Sequence, residues 1–572
     1  MSPQSAQPGR APSRVPPRHR PVGRFASWAL TRAARVGCSL AVLIAPLLVG
    51  ALDAAGQTAA SPRAAADRYT QREQDWRNGA VVYQVLVDRF APSANLPAKR
   101  HLYAPPKTLR GWDEEPKPGH FVESAQVWSH EIDFWGGDLQ SLRSRLDHVQ
   151  GLGATVLYLN PIHLGYTNHK YDSLDFKAVS PEFGTREDVK ALARDLHARG
   201  MKLVLDGVFN HMGRKAPRFL EAQRNPTSEA AQWFAFGPQY AGGARTWKEV
   251  QNLPELNLEH RPVRQHLWLA PDSVVRGYLR DGVDGWRLDT AYELGTTYLS
   301  EHTKAAHAEK PGSLVVGEIV NHPSGWMPAM DAVMNFHWRT LLLKLLKGEV
   351  TPTQAGRLIE RTVQDVGIEP LLKSWMLLDN HDVPRVATAI AHEGRRRLAQ
   401  TLQFTLPGSP NLYYGAEVGM TGGGDPAQRG PMRWDWVQPD HPELRWTRKL
   451  IQLRRSHRAL RVGDFRLLDT QHLLAFERHT NRVADTVLVL ANPSDQAVTE
   501  TVALRNGMLM DDAPLQDALL AHEAHPQAAH RPEPLKVGAG FLTVTIAPWG
   551  VRVLTPLVPD PAKGYSVYKR IP

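Results

Sequence analysis

Eight short apolar runs, most of them followed by a helical pattern, constrain this chain more than any other feature. They are VVYQVLV (81–87), TVLYLNPI (155–162), KLVLDGV (202–208), GWRLDT (285–290), LVVGEI (314–319), AVMNF (332–336), SWMLLDN (374–380) and NLYYG (411–415). Between them lie amphipathic stretches such as TREDVKALARDLHARG (185–200), with apolar residues at helical spacing, acids in the first turn and Gly200 as a stop signal. Strands that alternate with helices pair in parallel through right-handed crossovers. Eight is the number that closes a barrel, whereas an open doubly wound sheet would place a Gly-rich phosphate loop after its first strand, and none is present. The predicted fold class is α/β, a (β/α)8 TIM barrel spanning residues 75–460.

Two departures from the alternation mark further modules. Residues 210–262, after the third run, show no clear periodicity and are too long for a barrel connection, so they are read as an inserted subdomain B. After about residue 460 the pattern changes to short alternating runs, including HLLAFERH, TVLVLANPS and FLTVTIAPWGVRVLTP, which predicts a C-terminal antiparallel β-sandwich domain over 463–557. Its His-rich stretch AHEAHPQAAHRPEPL reads as a solvated loop.

The first 60 residues differ from the rest. A basic, Pro-rich opening leads into CSLAVLIAPLLVGAL and then into small residues, the order of a secretory signal with a long charged leader. An uncleaved anchor is the alternative reading, but Pro46 inside the apolar run and the small residues after it favour cleavage and an exported, periplasmic or secreted protein. Seven arginines and one aspartate in this leader account for +6 of the net charge of +10, leaving +4 for the remainder. That remainder carries no basic run interleaved with aromatics, which argues against a nucleic-acid partner and leaves membrane contact to the leader alone. Cys38 is the single cysteine, so no internal disulfide forms and no zinc or redox pair exists.

Chemistry in such a barrel belongs at the C-terminal ends of the strands. There the runs deliver Asp206, Asn210 and His211, then Arg287 and Asp289, then Glu318, then His381 and Asp382. A lone acid at a strand end is usually a cap or a loop hydrogen bond, but that reading does not account for acids on the same rim of several strands. Retaining glycoside hydrolysis needs one ionised carboxylate as nucleophile and one protonated carboxyl as proton donor. In GWRLDT, Arg287 and Asp289 alternate onto one face, so the arginine is expected to keep Asp289 charged and aimed. Glu318, flanked by Val315, Val316 and Ile319, has the apolar setting that favours the protonated form.

In order, DGVFNH, GWRLDTAYE, GEIV and LLDNHDVPR resemble the four signature regions of the α-amylase family, glycoside hydrolase family 13. The resemblance spans roughly residues 75–557. It implies an enzyme acting by retention on α-glucosidic bonds of starch-derived glucans, maltooligosaccharides or cyclodextrins, with an α-glucan oligosaccharide as its partner. By motif position Asp289 is the nucleophile, Glu318 the general acid/base and Asp382 the third carboxylate. Arg287, His211, His381 and Arg385 fall among the substrate-binding positions. NHKYD adds His169 as a hydroxyl ligand and Tyr171 as a stacking ring, and Glu293 follows the nucleophile. LPELN (253–257) resembles a fifth region at the end of subdomain B. A glucosyltransferase or isomerase of the same family is the alternative activity, and a non-catalytic binding barrel the alternative class.

The finer likeness is to the neopullulanase and cyclomaltodextrinase group, through MDAVMNF, GSPNLYYGAEVGMTGGGDP and MRWD. That group's extra N-terminal β domain has no counterpart here, so the resemblance does not extend to a preference for cyclic substrates or to an oligomeric state. No cofactor is required for the chemistry. Many relatives bind Ca2+ through an Asn/Asp-rich loop after DRF together with GGDL. Here Asp138 lies in WGGDLQ, the loop APSANLPAK offers only Asn95, and Asn210 matches a calcium-associated asparagine of other amylases. Asp138 and Asn210 are therefore the metal candidates, for an ion that takes about six to eight oxygens.

Overall fold

The computed structural model describes residues 62–521 and 534–557. The leader and residues 522–533 of the His-rich loop lie outside the described residues.

All eight apolar runs form strands: β1 Val82–Val85, β2 Val156–Leu159, β3 Lys202–Gly207, β4 Gly285–Leu288, β5 Leu314–Ile319, β6 Ala332–Asn335, β7 Trp375–Leu377 and β8 Ser409–Tyr413. They pair in parallel in chain order, and β1 pairs with both β2 and β8 to close the barrel. The apolar strand residues alternate between two environments. Val82, Val156, Tyr158, Val204, Val316, Met334, Trp375 and Leu377 fill the interior, while Tyr83, Leu157, Leu205, Trp286, Leu288 and Val315 join the larger cluster under the helices. This explains why the runs are continuous rather than alternating: both faces are buried.

The helix read from residues 185–200 runs Arg186–Ala198, with Thr185 capping it through the Asp188 backbone N–H and Gly200 at φ +71° ending the turn. The long connection after β3 is not structureless: it contains a helix, Pro217–Arg224, started by a proline at its first position. Eight residues are too few for a 3.6-residue period to stand out. Inside the segment Thr246 bridges Pro254, and the His211–Glu255 bridge pairs LPELN with the residues that follow β3.

Beyond the barrel, β9 Asp464–Leu467, β10 Leu474–His479, β11 Val487–Ala491, β12 Val498–Ala503, β13 Pro514–Asp517, β14 Leu535–Lys536, β15 Phe541–Ile546 and β16 Val551–Pro556 follow. Six of them form a sheet in the order β9-β10-β11-β16-β13-β14, and β12 pairs with β15 in a second one. Leu488, Leu490, Val502, Leu542, Val544 and Ile546 pack between the two. The fold is thus the predicted barrel with an antiparallel C-terminal sandwich.

Candidate active site

The register of β3 and β4 sets Asp206 directly beside Arg287. Arg287 is fully buried and donates from Nη1 to both Asp206 carboxylate oxygens, at 2.8 and 3.0 Å, and to Asp289 Oδ1 at 3.0 Å. Its Nη2 lies 3.0 Å from Glu318 Oε2 as an ion pair. One guanidinium therefore touches both carboxyls proposed for the chemistry, which places their nearest oxygens within about 8 Å of each other. The chain past β4 makes this possible. Asp289 continues the ladder through its N–H to the Gly207 carbonyl, and Thr290 then turns into the left-handed region at φ +40°. That turn aims the Thr290 N–H at Glu318 Oε2, 2.9 Å away.

The arginine is not reserved for Asp289, which corrects the sequence expectation. Burial pushes the Asp289 carboxyl well above the usual carboxylate range, and Glu318, Asp206 and Asp382 add to that push against Arg287 alone. Burial likewise raises Glu318, with Asp382 contributing, and raises Asp206. A single buried cation facing this many acids retains protons in the site. Arg287 itself is driven far above its ordinary value because Asp206 and Glu318 outweigh the burial that opposes its charge.

A polar layer crosses the barrel mouth beneath these acids. Asn411 donates to Gln84 Oε1 at 3.0 Å, Gln84 donates to Asn160 Oδ1 at 3.1 Å, and both Gln84 and Asn160 place an amide nitrogen 3.0 Å from His381 Nδ1. Two amide donors make Nδ1 the acceptor, so the proton sits on Nε2, which faces Tyr171 Oη and, at 3.2 Å, Asp382 Oδ1. Burial, with Arg287 nearby, holds His381 neutral far below the usual histidine range. Tyr171 donates to Asp206 at 2.9 Å and lies edge to edge with the His381 ring, with centroids 5.2 Å apart and planes within 5°. Asp382 is the exposed member, steadied by the Asn380 amide at 3.0 Å. His211 is buried with its acid form suppressed to a value of about 3.

The sequence-predicted residues Asp289, Glu318, Asp382, Arg287, His211, His381 and Tyr171 converge on this mouth. Glu293 stands exposed on the first turn of the following helix, with Glu255 as a charged neighbour. Two assignments need correction. Arg385 is fully buried behind the rim: Nη1 donates to the Tyr414 carbonyl at 2.7 Å and the guanidinium packs on Tyr413 at 4.6 Å. It pins the DNHDVPR turn to β8 and does not face substrate. His169 has both ring nitrogens engaged, Nδ1 by the Tyr171 N–H at 3.1 Å and Nε2 with Glu131 at 3.3 Å, so it orients Tyr171 rather than offering a free donor.

The metal candidates do not fit a calcium ion. Asp138 caps the helix Leu139–Arg143 through the Ser141 N–H at 2.7 Å, and its other oxygen takes the Ser93 hydroxyl and the Lys99 ammonium, the latter at 2.7 Å. An ammonium thus supplies the positive charge, where a calcium ion would need several more oxygens. Asn210 has His211 Nδ1 as its side-chain neighbour at 3.4 Å. Among the described residues no group of three or more His, Cys, Asp or Glu is arranged to hold a metal. We expect excess chelator to move the unfolding temperature by less than about 1 °C, whereas Lys99→Met, which strands a buried carboxylate, costs about 3 kcal/mol. A drop of several degrees on chelation would overturn this reading.

Gln84, Asn160, Asn411 and Glu131 escaped the sequence reading. The first two carried a signal, a lone amide inside an otherwise apolar strand run, where burial demands a partner.

Fold and rim together define an α-amylase-type glycosidase, and the chain belongs to that family: the description "Alpha amylase, catalytic domain" matches residues 84–441. Among curated proteins it is 31% identical over 431 residues to a cyclomaltodextrinase of a Bacillus species, covering 73% of each chain. It is 32% identical over 406 residues to neopullulanase 2 of Thermoactinomyces vulgaris, covering 68% of this chain and 65% of that one. Among solved structures it resembles the cyclic α-maltosyl-(1→6)-maltose hydrolase of Arthrobacter globiformis, with TM-score 0.69 and 28% identity over 84% of this chain and all of the other.

Proposed function

We propose that this glycosidase cleaves α-1,4-glucosidic bonds of starch-derived glucans, maltooligosaccharides or cyclodextrins with retention at the anomeric carbon. The observation that carries the proposal is the single Arg287 guanidinium in contact with both Asp289 and Glu318 at the ends of neighbouring strands. In the first step, with the site's proton on Glu318 and Asp289 ionised against Arg287, the Asp289 carboxylate attacks the anomeric carbon from one face while Glu318 gives its proton to the departing glycosidic oxygen. A glucosyl ester and a free sugar result. In the second step Glu318, now ionised, takes a proton from water, the hydroxide attacks the same carbon, and Asp289 leaves as carboxylate. Asp382, exposed at the mouth and steadied by Asn380, is placed to gather sugar hydroxyls. Tyr171, its ring fixed edge to edge with that of His381 by the contact of its hydroxyl with Nε2, offers a ring face to the apolar face of glucose.

The stereochemistry tests this directly. Proton NMR of a maltotriose digest is expected to show the α-anomer forming first and relaxing to the mixture, with glucose and maltose as products. A β-anomer appearing first would exclude the ester intermediate. Products longer than maltotriose would assign the enzyme to transfer instead of hydrolysis.

A further inference from the structure

Two helices of the barrel wall, Glu393–Thr405 before β8 and Pro442–Ser456 after it, line a groove that shares no residue with the barrel mouth. Two bonds between the helices fix its walls: Arg396 pairs with Glu443 at 3.0 Å, and the Trp446 indole N–H donates to Gln400 Oε1 at 2.9 Å. Beside them opens a hollow of about 550 Å³ faced by Arg397, Arg445, Trp446, Arg448, Lys449 and Gln452. That volume is typical of a small-molecule site.

The lining carries four cations and no carboxylate. Glu393 at the rim holds Arg397 at 2.6 Å, but among the described residues neither Arg445 nor Arg448 is paired with an acid. Nε of Arg397 and Nε of Arg448 are both buried and donate to nothing among the described residues. A buried guanidinium N–H without an acceptor is costly, and an anion in the hollow supplies one. Most neighbouring cations have partners: Arg395 lies 4.2 Å from the centre of the Trp549 ring, Arg454 donates to the Phe404 and Gly408 carbonyls, and Arg458 pairs with Glu73 and Asp485. Unpaired guanidinium charge is thus gathered in one hollow rather than drawn out in the track that nucleic acid requires. Guanidinium forks match phosphoryl oxygens through paired N–H donors. Several of them in one hollow suit two phosphoryl groups better than one. Along the sequence the cluster is hidden, because Arg397 and the other three cations come from different helices with β8 between them.

We propose that this groove binds a small-molecule diphosphate, at a site separate from the catalytic rim and independent of the glycosidase reading. Calorimetric titration of the full chain with inorganic pyrophosphate at low salt is expected to show one site. Arg445→Gln/Arg448→Gln is expected to lower the affinity about tenfold or more, with an unfolding temperature within about 2 °C of the parent's. Arg445→Gln alone changes an exposed residue, so it keeps the fold and is expected to weaken binding about threefold. Arg455→Gln, at an exposed position of the same helix outside the hollow, is expected to change the affinity less than about twofold. No binding by the parent, undiminished binding in Arg445→Gln and in the double variant, or an equal loss in Arg455→Gln would overturn the site. Tighter binding of a short single-stranded DNA or of phosphatidylglycerol vesicles than of pyrophosphate would overturn the diphosphate assignment in favour of a polymer or a membrane surface.

Discussion

Asp289→Asn is expected to lower turnover of maltooligosaccharides by about 10⁴-fold or more, and Glu318→Gln by about 10²–10⁴-fold, with opposite dependence on the leaving group. An amide at 289 cannot form the glucosyl ester, so no change of substrate restores the reaction. An amide at 318 leaves the nucleophile in place and removes only the proton. Fluoride departs without protonation, so α-maltosyl fluoride is expected to recover most of the first step in Glu318→Gln. Azide, which needs no general base, is then expected to intercept the ester and yield a glycosyl azide of retained α configuration. Arg287 contacts both carboxyls at 3.0 Å, so the leaving-group dependence of the two variants is what separates their roles. A Glu318→Gln variant equally slow on the fluoride and the oligosaccharide would remove Glu318 from the proton-donor role.

The barrel was legible because its strands are buried on both faces, which leaves continuous apolar runs that no exposed element would show. The rim was legible because four acids and their basic partners interrupt those runs at the same end. What the sequence does not carry is the direction of a side chain after a turn. Arg385 follows Asp382 by three residues, yet the DNHDVPR turn sends its guanidinium behind β8 onto Tyr413 and Tyr414. Nor does the sequence carry contacts between distant loops. Lys99 and Asp138 are 39 residues apart, and the pairing that displaces a calcium reading appears only once both loops are folded. Glu131 meets His169 across a similar gap of 38 residues. In the same way, a lone Gln in VVYQVLV and a lone Asn in TVLYLNPI announce a buried polar layer without saying which groups they bind.

The same electrostatics that make the rim reactive make it costly to hold folded. Arg287→Met is expected to destabilise the protein at pH 7 by about 3–5 kcal/mol, because it leaves buried acids without their shared cation. Asp206, Asp289 and Glu318 all sit above the ordinary carboxylate range in the folded protein, chiefly through burial. Folding therefore favours their protonated forms. That contribution is fully present below the unfolded values, near pH ~4, and is lost as pH rises through the folded ones. Removing Arg287 lifts the folded values further, so the penalty of the variant is expected to shrink toward pH 4 and to grow toward neutrality. Asp289→Asn acts in the opposite direction, since it deletes one buried ionisable group while an amide still accepts from Arg287. The inactive variant is expected to unfold about 1–3 °C above the parent at pH 7, and the difference is expected to vanish near pH 4. Thermal unfolding of parent and variants at the two pH values checks both statements. A stability loss in Asp289→Asn that is larger at pH 7 than at pH 4 would mean that Arg287 more than offsets the burial of Asp289, and the proton held in this site would have to reside elsewhere.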